Sequence, residues 1–320
     1  MKKRFFLPAM VLAAAFASCN SDDVANQESR AALGVNVSVN ELGSRAMVSG
    51  EYLANGDQIG ISVVANADGG NYDGNTTGYI NVAYRASGET TSQTWAAADA
   101  QKQILLSGTA GKAVAYFPYL ETVTDFEAIP VDITEQKDWM WSGFEGPLTD
   151  AAPNVAFEMN HAQTAVNIKV VRDASYTGAG AVSTLSVTSE GLATKGNFSA
   201  VNGEFYAASL EGTNTEVSII AGAFTLVADD AGTADIKENE KENPYMFIPA
   251  SDETKNFTVK ATIDGKAYTV GVNMAEAFNP GKVYLVSVKI SNIGLIVDSV
   301  VVLNDWIPSQ LPEGELKPAA

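Results

Sequence analysis

Residues 259–272 read VKATIDGKAYTVGV. Val259, Ala261 and Ile263 alternate with Lys260 and Thr262, a period of two that turns the apolar side chains to one face of a strand. Asp264-Gly265 sits between two alternating runs, and Asp-Gly at that place is a strong local signal for a two-residue hairpin. The same period recurs in both directions along the chain. Tyr284, Val286, Val288 and Ile290 alternate with Leu285, Ser287 and Lys289, and Val166, Ile168 and Val170 alternate with Asn167 and Lys169. Phe157 and Met159, Leu185 and Val187, and Val217 and Ile219 repeat it. Towards the N-terminus Ile59, Ile61 and Val63 and then Val35, Val37 and Val39 do the same. Asn55-Gly56-Asp57, Asp68-Gly69-Gly70 and Asn202-Gly203 separate the runs. Helical promise is confined to residues 96–106. Many short strands with few helices predict an all-β chain built from β-sandwiches.

With 320 residues the chain exceeds the size at which one core stops growing, so two domains are expected. The Gly, Ala and Ser-rich stretch 172–182 predicts the boundary near residue 175, giving sandwiches over 32–175 and 176–292. Residues 229–242 carry eight charges around Gly232 and read as an exposed loop. Acids outnumber bases 38 to 20, a net charge of -18, which argues against nucleic acid and against electrostatic docking on anionic lipid. One Cys and one His exclude an internal disulfide and a structural four-ligand Cys/His zinc site.

The N-terminus reads as a secretory leader. Lys2, Lys3 and Arg4 precede an apolar run over 5–17, too short to span a bilayer as a helix. Cys19 follows Phe16-Ala17-Ser18, which resembles a bacterial lipobox with Phe16 in place of the usual Leu. The expectation is a signal peptide over 1–18, lipid on Cys19 and a disordered linker over 19–31. Removing 1–18 leaves 17 bases against 38 acids, a charge of -21. The membrane is then reached through lipid rather than charge.

Candidate chemistry is sparse, and no constellation amounts to an enzyme. Residues 107–113, SGTAGKA, lack the first Gly and the final Ser or Thr of a phosphate loop. Asn71, Asp73 and Asn75 have calcium-loop spacing, but Gly74 comes too early and Val82 stands where a bidentate Glu is needed. The only histidine, His161, has no nucleophile elbow to serve. Trp139 and Trp141 fall on one face of a strand, either as core or, with Phe144, as a surface for stacking sugars. No cofactor is indicated.

Several ordered segments together resemble the fimbrillin family of Bacteroidetes. They are Asn55-Gly56-Asp57-Gln58-Ile59-Gly60-Ile61, Val114-Ala115-Tyr116-Phe117-Pro118-Tyr119, the strand from Phe157 with His161-Ala162, Phe278-Asn279-Pro280-Gly281-Lys282-Val283-Tyr284, and Asp305-Trp306. The acidic start Asn20-Ser21-Asp22-Asp23 resembles the surface-export signal of lipoproteins from the same bacteria. The resemblance implies two transthyretin-like β-sandwich domains, export as a lipoprotein to the outer membrane, and assembly into fimbriae with other pilin subunits. It also implies cleavage by a trypsin-like, Arg-specific protease after Arg45, with Arg30 as the second choice. Cleavage after Arg45 would release the strand of Val35, Val37 and Val39; cleavage after Arg30 would keep it.

The C-terminal extension 293–320 supplies a further strand. Ile293, Leu295, Val297, Val300, Val302 and Trp306 form an apolar series that needs a partner. It can enter a neighbouring subunit as a donor strand or fold back as a hairpin with 283–290, and both can hold at different stages. With the resemblance to the fimbrillin family, this implies a fimbrial subunit contributing to cell adhesion. A fimbrial tip or anchor component, or a monomeric glycan-binding surface lipoprotein with a host-surface ligand, are the alternatives.

Overall fold

In a computed structural model the chain is described at residues 30–39, 53–74, 78–88, 93–220, 222–226 and 245–303. Cys19, Arg45, Asn75, the 229–242 loop and Trp306 lie outside the described residues. The structure is all-β, with only short 3-10 turns besides strands among the described residues.

Eight strands come from the N-terminal half: β1 (Gly34–Val39), β2 (Gln58–Ala65), β3 (Tyr79–Ser87), β4 (Thr94–Ala97), β5 (Gly111–Phe117), β6 (Ile129–Asp132), β7 (Met140–Leu148) and β8 (Asn154–His161). All but β6 form one sheet in the order β1-β8-β7-β5-β2-β3-β4. The sheet curls until its two end strands, β1 and β4, approach each other around a core of Ile59, Ile61, Val63, Tyr84, Trp95, Phe157 and Met159. β5 is buried on both faces: Ala113 and Ala115 face that core, while Val114 and Tyr116 face a second one. Its near-continuous apolar sequence, GKAVAYF, follows from this double burial.

The C-terminal half adds β9 (Thr164–Arg172), β10 (Ala181–Thr188), β11 (Lys195–Phe198), β12 (Tyr245–Pro249), β13 (Asn256–Ile263), β14 (Lys266–Asn273), β15 (Val283–Ser291) and β16 (Gly294–Leu303). One sheet runs from Leu192–Ala193 through β12, β9 and β15 to β16; the other runs from Val217–Ser218 through β10 and β13 to β14. Their inner faces meet in a core of Ile168, Val182, Leu185, Val259, Ile263, Val286 and Ile290. β13 and β14 form the predicted hairpin, with Asp264 at φ 50° and Gly265 at φ 75°. The Asp264 carboxylate also accepts from the Gly180 and Ala181 backbone N–H groups and from the Tyr176 hydroxyl.

Two expectations are corrected. Strand β9, placed by the 175 boundary in the first sandwich, is paired in parallel with β15 along Ala165–Arg172 and is central to the second. The change of sandwich falls instead at Ala162-Gln163, both fully buried. The Gly-rich stretch 172–182 is only a surface connection between β9 and β10. Residues 96–106 are not a helix but the end of β4, a turn over Ala100–Lys102 and a short strand at Leu105–Leu106. Asp99 caps the start of that single turn by accepting from the Gln101 N–H, and burial of Ile104 and Leu106 holds the chain beyond it extended.

The two sandwiches share more than a linker. β6, from the N-terminal half of the sequence, pairs antiparallel with β11, and Lys195 meets Asp132 at 2.9 Å. The second core runs without interruption from Val114 and Tyr116 through Ile129, Val131 and Phe198 into the C-terminal sandwich.

Candidate functional site

Strand β1 is an end strand held along one side. It lies parallel to β8, from Gly34 opposite Asn154 to Val39 opposite Met159. Leu33 and Val35 are buried in the first core, and Val37 and Val39 pack against it half-buried. Their period of two is what selects this face: Asn36 and Ser38 point out. The upstream flank is tied down as well, since Leu33 N–H donates to Ile104 and Gly34 N–H to Pro153, each at 3.0 Å. Arg30 is half-exposed and pairs with Asp73 at 3.1 Å. Asp73 thus serves an ion pair within the fold, and among the described residues no group of three or more metal-ligating side chains forms.

At the opposite end of the chain β16 forms a hairpin with β15, from Ser291 opposite Gly294 to Val283 opposite Leu303. A register shift beside Asp298 changes the phase of the strand. Leu295 is buried, and Val297, Val300 and Val302 all pack on the second core despite their uneven spacing. Ile293 stands at the turn with 83% of its surface exposed. Lys289 and Asp298 pair at 2.7 Å across the hairpin. β16 is an end strand of its sheet, as β1 is of the other.

The tryptophan pair divides. Trp139 is 6% exposed and packs edge-on against Phe198, with ring centroids 6.1 Å apart. That burial removes it from any glycan surface. Trp141 faces the same way but is only half-buried, and it lines a cavity of about 580 Å³ where the two sandwiches meet. β7 and β8 supply Trp141, Asn160 and His161 from one side; the loops at 202–207, 249–252 and 278–281 supply the rest. His161 Nδ1 contacts Asp138 Oδ1 at 2.9 Å, so the side chain is anchored beside the cavity. In the sequence Asn202-Gly203 reads only as a separator between strands, and Asn279-Pro280-Gly281 only as part of a segment resembling the fimbrillin family. Their joint place at the cavity depends on contacts between sandwiches that no local pattern carries. In residues 107–113, Ser107 is fully buried against the Tyr72 hydroxyl and leads into β5, not into a helix.

Residues 44–306 match the model of a family described as fimbrillin-like. The chain belongs to the fimbrillin-like family. No curated protein matches it. The fimbrillin-like chain is similar to the crystal structure of a proposed cell adhesion protein from Bacteroides uniformis ATCC 8492. The two are 25% identical with a TM-score of 0.59, over 87% of this chain and 99% of that one. A proposed cell adhesion protein from Bacteroides ovatus ATCC 8483 shares the fold at 17% identity and a TM-score of 0.63, over 88% and 100%. A looser likeness links it to the tip fimbrial protein Mfa3 from Porphyromonas gingivalis, at 11% identity and a TM-score of 0.45, over 87% and 100%.

Proposed function

We propose that this fimbrillin-like chain is a fimbrial subunit at the bacterial surface, contributing to cell adhesion and activated by removal of β1. In this reading the precursor is exported as a lipoprotein anchored through Cys19 to the outer membrane. An Arg-specific, trypsin-like protease cuts after Arg45, and the strand of Val35, Val37 and Val39 leaves with the lipid. The observation that carries the reading is the position of β1, which fills the end of a sheet and completes its core while pairing, among the described residues, along one side only. Its loss opens the outer edge of β8 and uncovers apolar surface. Such an edge recruits another strand.

The incoming strand comes from the C-terminal segment of the next subunit, Ile293, Leu295, Val297, Val300, Val302 and Trp306. Before assembly the β15–β16 hairpin shields residues 294–303 in their own sheet. Head-to-tail insertion of this kind does not close on itself and builds a fibre. Cleavage after Arg30 instead would leave β1, which begins at Gly34, in place.

The test is to treat lipid-free precursor with trypsin and follow its size by chromatography. A ladder of oligomers that depends on cleavage, and that Arg45→Ala suppresses, is expected. A fully cut chain that stays monomeric, or a ladder unaffected by Arg45→Ala, sinks the reading.

A further inference from the structure

We infer that the cleft between the two sandwiches binds a neutral oligosaccharide, with the indole of Trp141 as its stacking platform and the carboxylates of Glu204 and Asp252 as its hydroxyl acceptors. The cavity, about 580 Å³, has the size of a small-ligand site and lies at a domain junction, where such sites are favoured. It is not lined as a core would be. Around Trp141 and Phe205 stand Glu204, Asp252, Asn160 and Asn279.

Most of the polar and aromatic lining is fixed in advance. Gly203, at φ 71°, lies so close to Trp141 that a Cβ there would overlap the indole nitrogen, which sets the ring's position. Its loop is closed by Gly203 N–H to Ser199 at 2.8 Å and Ser199 N–H to Glu204 at 3.0 Å. Asn202 Nδ2 donates to Glu204 Oε2 at 2.8 Å, orienting that carboxylate. On the facing walls, Asn160 donates to the Glu158 carbonyl at 3.2 Å and Asn279 to the Ala277 carbonyl at 2.9 Å, fixing both amide planes. A preformed site spends little affinity on ordering itself.

The chemistry narrows the ligand. Two carboxylates line the cavity and no Lys or Arg does, so an anion is repelled. Carboxylates and amides offer both acceptors and donors, which a polyhydroxyl ligand uses together; an ammonium group would use acceptors alone. An aromatic face beside these groups accepts the apolar C–H face of a sugar ring by burial.

The experiment uses lipid-free chain 20–320 with cellotetraose, maltotetraose, triacetylchitotriose and lacto-N-tetraose as neutral probes. Sialyllactose is the anionic probe and lysine ethyl ester the cationic one. Tryptophan fluorescence and saturation-transfer NMR report binding. At least one neutral probe is expected to saturate with a Kd of ~1 mM or tighter. Glu204→Gln and Asp252→Asn should each weaken it about tenfold or more, with unchanged circular dichroism. Trp141→Phe should retain part of the binding that Trp141→Ala loses. No saturation by any neutral probe, equal affinity in both carboxylate variants, or tighter binding of sialyllactose or lysine ethyl ester would each overturn the inference.

Discussion

Locking β16 to β15 separates a hairpin that must open from one that stays shut. Leu285 and Val301 are directly paired in the antiparallel register, and both lie outside the residues that pack on the core. Paired residues in such a ladder have Cα atoms ~4.5–5.5 Å apart, inside the ~4.4–6.8 Å span that a disulfide needs. Leu285→Cys with Val301→Cys should therefore form a cross-link without disturbing the interior. The only natural cysteine, Cys19, is absent from a chain begun at residue 20, so no other thiol competes. The bond closes a loop of about 17 residues, and chain-entropy arithmetic gives about 3 kcal/mol of stabilisation. Trimming the outward Leu and Val returns part of that, roughly 1 kcal/mol each at most for half-buried groups. The oxidised variant should thus melt at or above the temperature of the unsubstituted chain, and well above its own reduced form. After trypsin treatment, oxidised protein should remain monomeric on a sizing column, and dithiothreitol should restore the oligomer ladder. The lock sits near the free end of the strand, so a partial peel from the turn cannot substitute for release. An undiminished ladder from fully oxidised protein would refute the departure of β16 and move the donor role beyond residue 303.

Other outcomes follow from single contacts. Val35→Ala, which empties space beneath β1, should cost about 2 kcal/mol in urea denaturation and hasten loss of the strand after cleavage. Gly203→Ala should lower the melting temperature and shift tryptophan emission to the red, because the added Cβ displaces the Trp141 indole. The Gly180 and Ala181 backbone N–H groups, with the Tyr176 hydroxyl, hold the Asp264 carboxyl below its ordinary value. Its contribution is full above that ordinary value and is lost as pH falls through the folded one. Asp264→Asn, which still tolerates the positive φ, should be less stable than wild type at neutral pH, with the difference closing below about pH 4 in melting curves.

Much of the fold was legible because alternation and turn chemistry are local. Val259 to Ile263 with Asp264-Gly265 encode a hairpin wherever they stand, and Val35, Val37 and Val39 encode a strand with one buried face. The domain boundary was not legible. The Ala162-Gln163 junction is buried and short, and Gln163 is used internally, its side chain accepting from the Trp139 N–H and its backbone carbonyl from the Gly281 N–H, so no loop-like composition marks it. The Gly-rich stretch at 172–182 carries the usual mark of a linker but joins two strands of one sandwich. Spacing placed Trp139 and Trp141 on one face correctly. What separates them is Phe198, brought over Trp139 by the β6–β11 ribbon, a pairing between distant segments. The phase of β16 was legible only in part, because the register shift at Asp298 lets Val297 and Val300 share a face despite their odd separation.

The Ala162-Gln163 junction also decides how a subunit carries tension. β8, which holds β1, continues through those two residues into β9, which is hydrogen-bonded to β15 and so to β16. A pull exerted between the β1 position and the β16 position therefore runs along one covalent stretch, 154–172, beside the β6–β11 ribbon, with the ladders on either side loaded along their length. Many hydrogen bonds must then yield together instead of one after another. The loops that wall the inter-sandwich cleft lie beside this line of force and are not links within it.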